Sequence, residues 1–201
     1  KEMSLNLYAM LLTSTKNIEF ARKNGIYKNK NLTIRSFKVF GDGALGSRGA
    51  YLKNAYSDEH NHFGVLTTPM SEMKRMALVC ESVGYQMNTH AIGDSTNAIV
   101  LCIYKMINDI NKDHRWRIEH AQVIDPKDFI LFSQYGVFPS VQPTHAVSDQ
   151  RWAQSRLGKE RLTGAYAYKT LLNQTGMIAL GTDFPVENFN PFLTIHAAVQ
   201  R

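Results

Sequence analysis

Two histidines and one aspartate come at the ends of three predicted strands of this 201-residue chain. His90 closes one strand, His120 closes the next, and Asp183 follows the apolar run Met177–Leu180. A buried carboxylate is strongly unfavourable unless it is paired or binds a metal. Imidazole and carboxylate are ligands that zinc and similar divalent ions accept. We therefore expect these three side chains to form a metal site.

A lysine and a third histidine, Lys38 and His145, also come at predicted strand ends. A single histidine after a strand is more often a core residue than a ligand, so the prediction rests on the coincidence of all these groups. A bound divalent ion would lower the pKa of a water towards about 7 and polarise a carbonyl group. Asp183 could take the proton from that water and return it to a leaving amine.

Strands and helices alternate along the whole chain, which predicts an α/β fold with parallel strands joined by right-handed crossovers. A parallel α/β barrel carries its chemistry at the C-terminal ends of its strands, where all of the candidate residues lie. We expect six strands, at residues 5–12, 32–40, 85–90, 115–120, 137–142 and 177–182.

The chain is short for a complete (β/α)8 barrel of the TIM type, which usually needs about 250 residues. It begins at Lys1 and ends at Arg201 inside an apparently helical run. We therefore interpret residues 1–201 as one partial TIM-like barrel domain, cut from a longer protein and lacking its first strands.

Composition is that of a globular protein, with 44% hydrophobic and 20% charged residues. The net charge of +6 is spread along the chain without a dense basic run, which disfavours nucleic-acid binding. The sequence has no run of 18 or more apolar residues, so we expect no transmembrane helix. We expect the protein to be cytoplasmic. Cys80 and Cys102 fall on apolar positions of predicted helices, so we expect two buried free thiols.

Five segments, in this order, resemble the successive motifs of the amidohydrolase superfamily, and most of all its YtcJ-like branch, the third amidohydrolase family. The similarity covers nearly the whole chain. The segments are KVFGDGALGSR at 38–48, THAIGD at 89–94, RIEHAQ at 117–122, SVQPTH at 140–145 and LGTDFPV at 180–186.

This resemblance implies a metal-dependent hydrolase on a distorted TIM barrel, with a small β-sandwich domain built from both chain ends and absent here. His90 and His120 would match the ligands on the family's fifth and sixth barrel strands, and Asp183 the acid on the eighth. Lys38 falls on the fourth, where many members carry a carboxylated lysine that bridges two metals. The alternative is a buried lysine paired with Asp42. The cofactor would be one or two divalent ions, with zinc as the first choice.

The chain departs from the superfamily in one respect, because the His-x-His pair of the first barrel strand is absent. His60-Asn-His62 has the spacing but lies in a polar loop after the wrong strand, and we interpret it as a surface loop. With two ligands missing, we expect the isolated chain to bind metal weakly or not at all and to be inactive. The unpaired edges of a six-stranded sheet favour homodimerisation.

Four further residues are assigned, most of them with alternatives. Asp42 and Arg48 lie in the glycine-rich loop and would either bind substrate or brace the loop, with bracing preferred for Asp42. Glu119 precedes a ligand position, so we expect it on the opposite face, paired with Arg117 or a helix. His145 would face the substrate carbonyl or lie behind the ligands.

The function that these residues predict is hydrolysis of a carbon–nitrogen bond in a small organic molecule, such as an amide or formamide that is not a peptide. Asp183 and His145 are the candidate catalytic residues, and Lys38, His90, His120 and Asp183 the candidate ligands. The alternatives are a catalytically silent scaffold and a basic module that binds an acidic partner.

Overall fold

A computed structural model describes residues 4–107 and 113–200 of the chain. The strands are β1 (Leu7–Leu12), β2 (Tyr27–Lys28), β3 (Leu32–Phe40), β4 (Gln86–Ala91), β5 (Arg117–His120), β6 (Phe138–Val141) and β7 (Ala179–Leu180). The helices are α1 (Thr15–Asn24), α2 (Met70–Val83), α3 (Asp94–Ile107), α4 (Phe129–Gln134), α5 (Pro143–Asp149), α6 (Ala153–Arg161), α7 (Tyr168–Thr175) and α8 (Pro191–Gln200), with a 3-10 turn at Leu162–Gly164.

Six of these strands form one parallel sheet in the order β1-β3-β4-β5-β6-β7, and helices follow the strands as in a half-barrel. The predicted α/β class and partial TIM-like barrel are therefore confirmed. β2 was not predicted, since two residues carry too little pattern; it pairs antiparallel with β3. β7 has two residues where six were predicted.

The core lies between the outer face of the sheet and the helices. Phe37 and Met87 are in register on neighbouring strands, and both are fully buried against the helical layer. Met73 and Met76 of α2 pack in the same cluster, as the i, i+3 spacing predicts. Burial of each such side chain stabilises the fold by about 1.5–3 kcal/mol.

The two cysteines differ in exposure. Cys80 lies on the buried face of α2, as expected, whereas Cys102 of α3 is exposed. The prediction for Cys102 was wrong because its neighbours in sequence, Leu101 and Ile103, take the buried positions of this amphipathic helix. The described residues include no helix of the length and apolarity that crossing a membrane needs.

Candidate metal centre

The candidate residues meet at the C-terminal ends of the strands. His90, His120 and Asp183 line one cavity of about 690 Å³, together with Lys38 and His145. The expected convergence of His90, His120 and Asp183 at a single barrel mouth is therefore confirmed. Parallel strands bring it about, because their carboxyl ends share one edge of the sheet.

His120 reaches the cavity through an unusual backbone conformation. It is in register with Ala91, which packs in the core on the helical side of the sheet. Regular alternation would point the His120 ring the same way. Instead φ is +76° at His120 and +43° at Ala121, in the left-handed region. The turn brings the His120 ring to 4.5 Å from the His90 ring. Such backbone conformations concentrate at functional sites.

His120, His145 and Asp183 form the tightest group of metal-ligating side chains in the described part of the chain. One ligand atom from each lies within 4.8 Å of the others. The rings of His120 and His145 are stacked at 5.8 Å, and Nε2 of His145 lies 3.6 Å from Oδ2 of Asp183. The sequence prediction placed His90 in the ligand set and gave His145 a catalytic role, because His145 follows its predicted strand rather than closing it; it lies in the first turn of α5.

The donor set fits a divalent cation. Nδ1 of His120 and Nε2 of His145 are buried and accept or donate no hydrogen bond in the structure. Burial lowers the pKa of His90 from 6.5 to about 4, with the charge of Lys38 acting in the same direction. Burial also lowers the pKa of His120 well below its ordinary value, helped by His90. Neutral imidazoles are the form that binds metal.

Asp183 is the partly exposed member of the group. Burial raises the pKa of its carboxyl, while His145 and Lys38 oppose that shift. Its backbone is also left-handed, with φ of +55°. A carboxylate that keeps access to solvent beside two imidazoles can both contact a cation and exchange a proton.

Lys38 lies on the inner face of β3 and points into the same cavity. Burial lowers the pKa of its amine, and the charges of Glu119 and Asp183 act against that effect. Its Nζ lies 5.4 Å from the centre of the Phe40 ring. The alternative of a pair with Asp42 gains no support, because the carboxylate of Asp42 is held elsewhere.

Asp42 is a brace between two loops. Its side chain is fully buried, and it accepts the backbone N–H groups of Tyr51, Ile92 and Gly93 at 2.8–3.0 Å. Burial raises the pKa of this carboxyl to about 6, and the three donors limit the shift. These contacts favour bracing over substrate binding.

Arg48 is held at the rim. Its guanidinium bonds both oxygens of Asp58 at 3.1 Å, and Arg156 bonds the same carboxylate. Arg48 is not among the described residues that line the cavity. In the same loop, Nε2 of His62 bonds the Arg48 carbonyl oxygen at 2.8 Å. A role for Arg48 in substrate binding stays a prediction.

Glu119 faces the barrel interior, so the expectation of the opposite face was wrong. It is in register with His90, and neighbours in register on parallel strands share a face. The error came from assuming that His120 continues the alternation, whereas its left-handed backbone turns its ring to the side that Glu119 occupies. The expected pair with Arg117 is present at 2.8 Å.

Three polar residues that sequence reasoning missed also line the cavity: Gln122, Asp149 and Glu187. Gln122 lies two residues after His120 within a motif that had been singled out, so its position was a usable signal. Asp149 bonds the hydroxyl of Tyr166 at 2.7 Å, and no sequence pattern marks it.

A sequence model described as the amidohydrolase family matches residues 3–201. The chain belongs to the amidohydrolase family. LONG AFTER FAR-RED 3 of Arabidopsis thaliana is 32% identical over 198 residues, which are 97% of this chain and 34% of that protein. YtcJ of Bacillus subtilis (strain 168) is 34% identical over 171 residues, which are 83% of this chain and 31% of that protein.

Solved structures agree with this membership of the amidohydrolase family. The crystal structure of an uncharacterized metal-dependent hydrolase from Pyrococcus furiosus has a TM-score of 0.88 and 30% identity, over 99% of this chain and 41% of that one. A counterpart from Pyrococcus horikoshii OT3 has a TM-score of 0.85 and 31% identity, over 98% of this chain and 39% of that one. The chain spans about a third of the length of the curated relatives that it matches.

Proposed function

We propose that the protein is a metal-dependent hydrolase of carbon–nitrogen bonds in small organic molecules, of the amide or formamide type. The observation that carries the proposal is the group formed by His120, His145 and Asp183, whose ligand atoms lie within 4.8 Å of one another. Membership of the amidohydrolase family and the likeness to metal-dependent hydrolases support it.

A divalent ion, with zinc as our choice, would be held by His90, His120 and Asp183, with His145 beside them. Such an ion supplies Lewis acidity, which lowers the pKa of water and polarises a carbonyl oxygen. Lys38 is the candidate for a carboxylated lysine that joins a second ion. Burial lowers its pKa and so favours the neutral amine that carboxylation needs.

The protein's own groups carry the protons. Oδ2 of Asp183 accepts a proton from the attacking water and returns it to the nitrogen of the leaving amine. Its side chain is 37% exposed, so it can exchange that proton with solvent. His145, 3.6 Å from that oxygen, orients the carboxylate and faces the carbonyl group of the substrate.

Metal binding tests the first half of the proposal. The full gene product is stripped with a chelator and titrated with zinc in a calorimeter, alongside His120→Ala and the matched control His60→Ala. His60 is an exposed histidine outside the cavity. We expect stoichiometric binding that is lost in His120→Ala and kept in His60→Ala. Equal affinity in the two variants would place the metal elsewhere. The zinc affinities of His90→Ala and His145→Ala then show which of these two histidines contributes more to binding.

Turnover tests the second half. The full gene product is screened against formamides and small amides, and Asp183→Asn is compared with the wild type. We expect the variant to lose at least about 100-fold in kcat/KM, the usual scale for a general acid–base group. Unchanged turnover would refute the role of Asp183. The 201-residue chain alone is expected to be inactive, and activity in it would contradict that expectation.

The remaining features are also proposals. We expect a small-molecule substrate, no nucleic-acid partner, a cytoplasmic location and a homodimer formed through the open sheet edges. No observation on the described residues specifically supports the alternative of a basic module that binds an acidic partner.

A further inference from the structure

A buried carboxylate in the loop after β3, that of Asp42, lies beside the candidate ligand His90. Oδ1 of Asp42 is 3.5 Å from Nε2 of His90, and the Asp42 side chain has no exposure to solvent. Nε2 of His90 is itself buried and makes no hydrogen bond in the described part of the chain, so the Asp42 oxygen, at the limit of hydrogen-bond distance, is the acceptor beside it. The loop after β3 therefore offers this imidazole one fixed acceptor.

The position of Asp42 is fixed independently of His90. Oδ2 accepts the N–H groups of Tyr51 and Gly93, and Oδ1 accepts that of Ile92. The loop also crosses the end of β4 closely, because the Gly41 N–H donates to the carbonyl oxygen of His90 at 2.9 Å. A carboxylate with this many fixed contacts cannot move away from the ring.

A neutral imidazole has one N–H and one lone pair, and the group that accepts from the N–H decides which nitrogen can bind a metal. A proton on Nε2 can be donated to the Asp42 carboxylate, whereas a lone pair on Nε2 would face the negative charge of that carboxylate. We propose that Asp42 is a positioning residue that holds the ring proton of His90 on Nε2 and leaves Nδ1 as the nitrogen that binds metal. The metal-binding part rests on the proposed function, whereas the tautomer itself does not.

The test reads the tautomer directly, in the metal-free protein. Long-range proton–nitrogen NMR spectra distinguish Nε2–H from Nδ1–H imidazoles, and the His90 signals are those missing from His90→Gln. We expect His90 in the wild type to be the Nε2–H tautomer at neutral pH. An Nδ1–H tautomer would overturn the proposal, and this measurement needs no variant of Asp42.

Asp42→Asn is the decisive variant. Its one amide oxygen is best placed at the Oδ2 position, where two N–H groups point, which leaves the NH2 group facing His90. An NH2 group donates, so we expect His90 to change to the Nδ1–H tautomer. A retained Nε2–H tautomer would overturn the proposal, because Asp42 would then not be the group that holds the proton.

Asp94→Asn is the matched control. Asp94 is also buried, and it braces the same loop by accepting the N–H of Lys53 at 2.9 Å. The structure gives it no contact with the His90 ring, so we expect the tautomer to be unchanged. A change in this variant as large as in Asp42→Asn would mean that loop damage alone moves the proton.

Zinc affinity supplies the second readout. We expect a 10–100-fold loss in Asp42→Asn, the usual effect of removing a group that orients a ligand, and none in Asp94→Asn. Affinity that stays unchanged while the tautomer switches would overturn the role of His90 as an Nδ1 ligand. Absence of zinc binding in the wild type would refute the proposed function instead, and the tautomer result would still decide what Asp42 does.

Discussion

The ion pair between Arg117 and Glu119 offers a quantitative test of how the inner face of the barrel is held together. Nε of Arg117 lies 2.8 Å from Oε1 of Glu119, and only 8% of the Glu119 side chain is exposed. Two residues earlier, Arg115 and Asp113 form a pair at 2.9 Å with exposures of 62% and 68%. The two pairs have the same sequence spacing and nearly the same distance, so burial is what differs.

Arg117→Met leaves the Glu119 carboxylate without its partner in a buried position. Breaking a buried pair typically costs about 3–5 kcal/mol, because one charge remains uncompensated. Arg117 is 22% exposed, and the charge of Lys38 interacts with Glu119, so we expect the lower end, about 3 kcal/mol. Arg115→Met removes an exposed pair and should cost about 0–1 kcal/mol.

The double variant separates the lost charge from lost packing. In Arg117→Met with Glu119→Gln no buried charge is left unpaired, so we expect most of the stability to return, to within about 1 kcal/mol of the wild type. A pair that stabilised the protein strongly in its own right would leave the double variant as unstable as the single one.

Urea denaturation of the metal-free protein provides the measurement, followed by tryptophan fluorescence. Trp116 adjoins Arg117 and is fully buried, so its emission reports the unfolding of this part of the sheet. A loss of about 3 kcal/mol corresponds to a fall in Tm of roughly 6–12 °C for a domain of this size. If Arg117→Met costs no more stability than Arg115→Met, burial does not set the energy of this pair.

Two further predictions concern packing and exposure. Gly93→Ala should cost about 3 kcal/mol or more in urea denaturation, because a Cβ would lie 2.0 Å from the Tyr51 carbonyl oxygen. Gly181→Ala, whose Cβ would meet nothing closer than 3.8 Å, should change stability by less than about 0.5 kcal/mol, and equal losses would contradict the structure. In thiol labelling, Cys102 should react in the native protein and Cys80 only after denaturation, since Cys80 is buried and burial raises its pKa. Labelling of both thiols in the native protein would show that α2 opens readily.

Much of the fold could be predicted from the sequence because its signals are local. The helical spacing of apolar residues such as Met73 and Met76 marks the buried face of α2. Gly84 ends that helix in the left-handed conformation. Strand ends followed by polar residues located His90 and Asp183 at one edge of a parallel sheet. That edge is common to all strands, so convergence followed from topology alone.

What the sequence by itself determined is therefore the class of fold, the order of the strands and which residue types meet at their ends. The tertiary structure alone decided which faces those residues present. The left-handed turn at His120 breaks the alternation and brings its ring to the inner face that Glu119 already occupies. The first turn of α5 carries His145 to Asp183, and Asp42 takes its donors from loops that lie far apart in sequence. These arrangements depend on long-range contacts, which the local pattern of a chain does not encode.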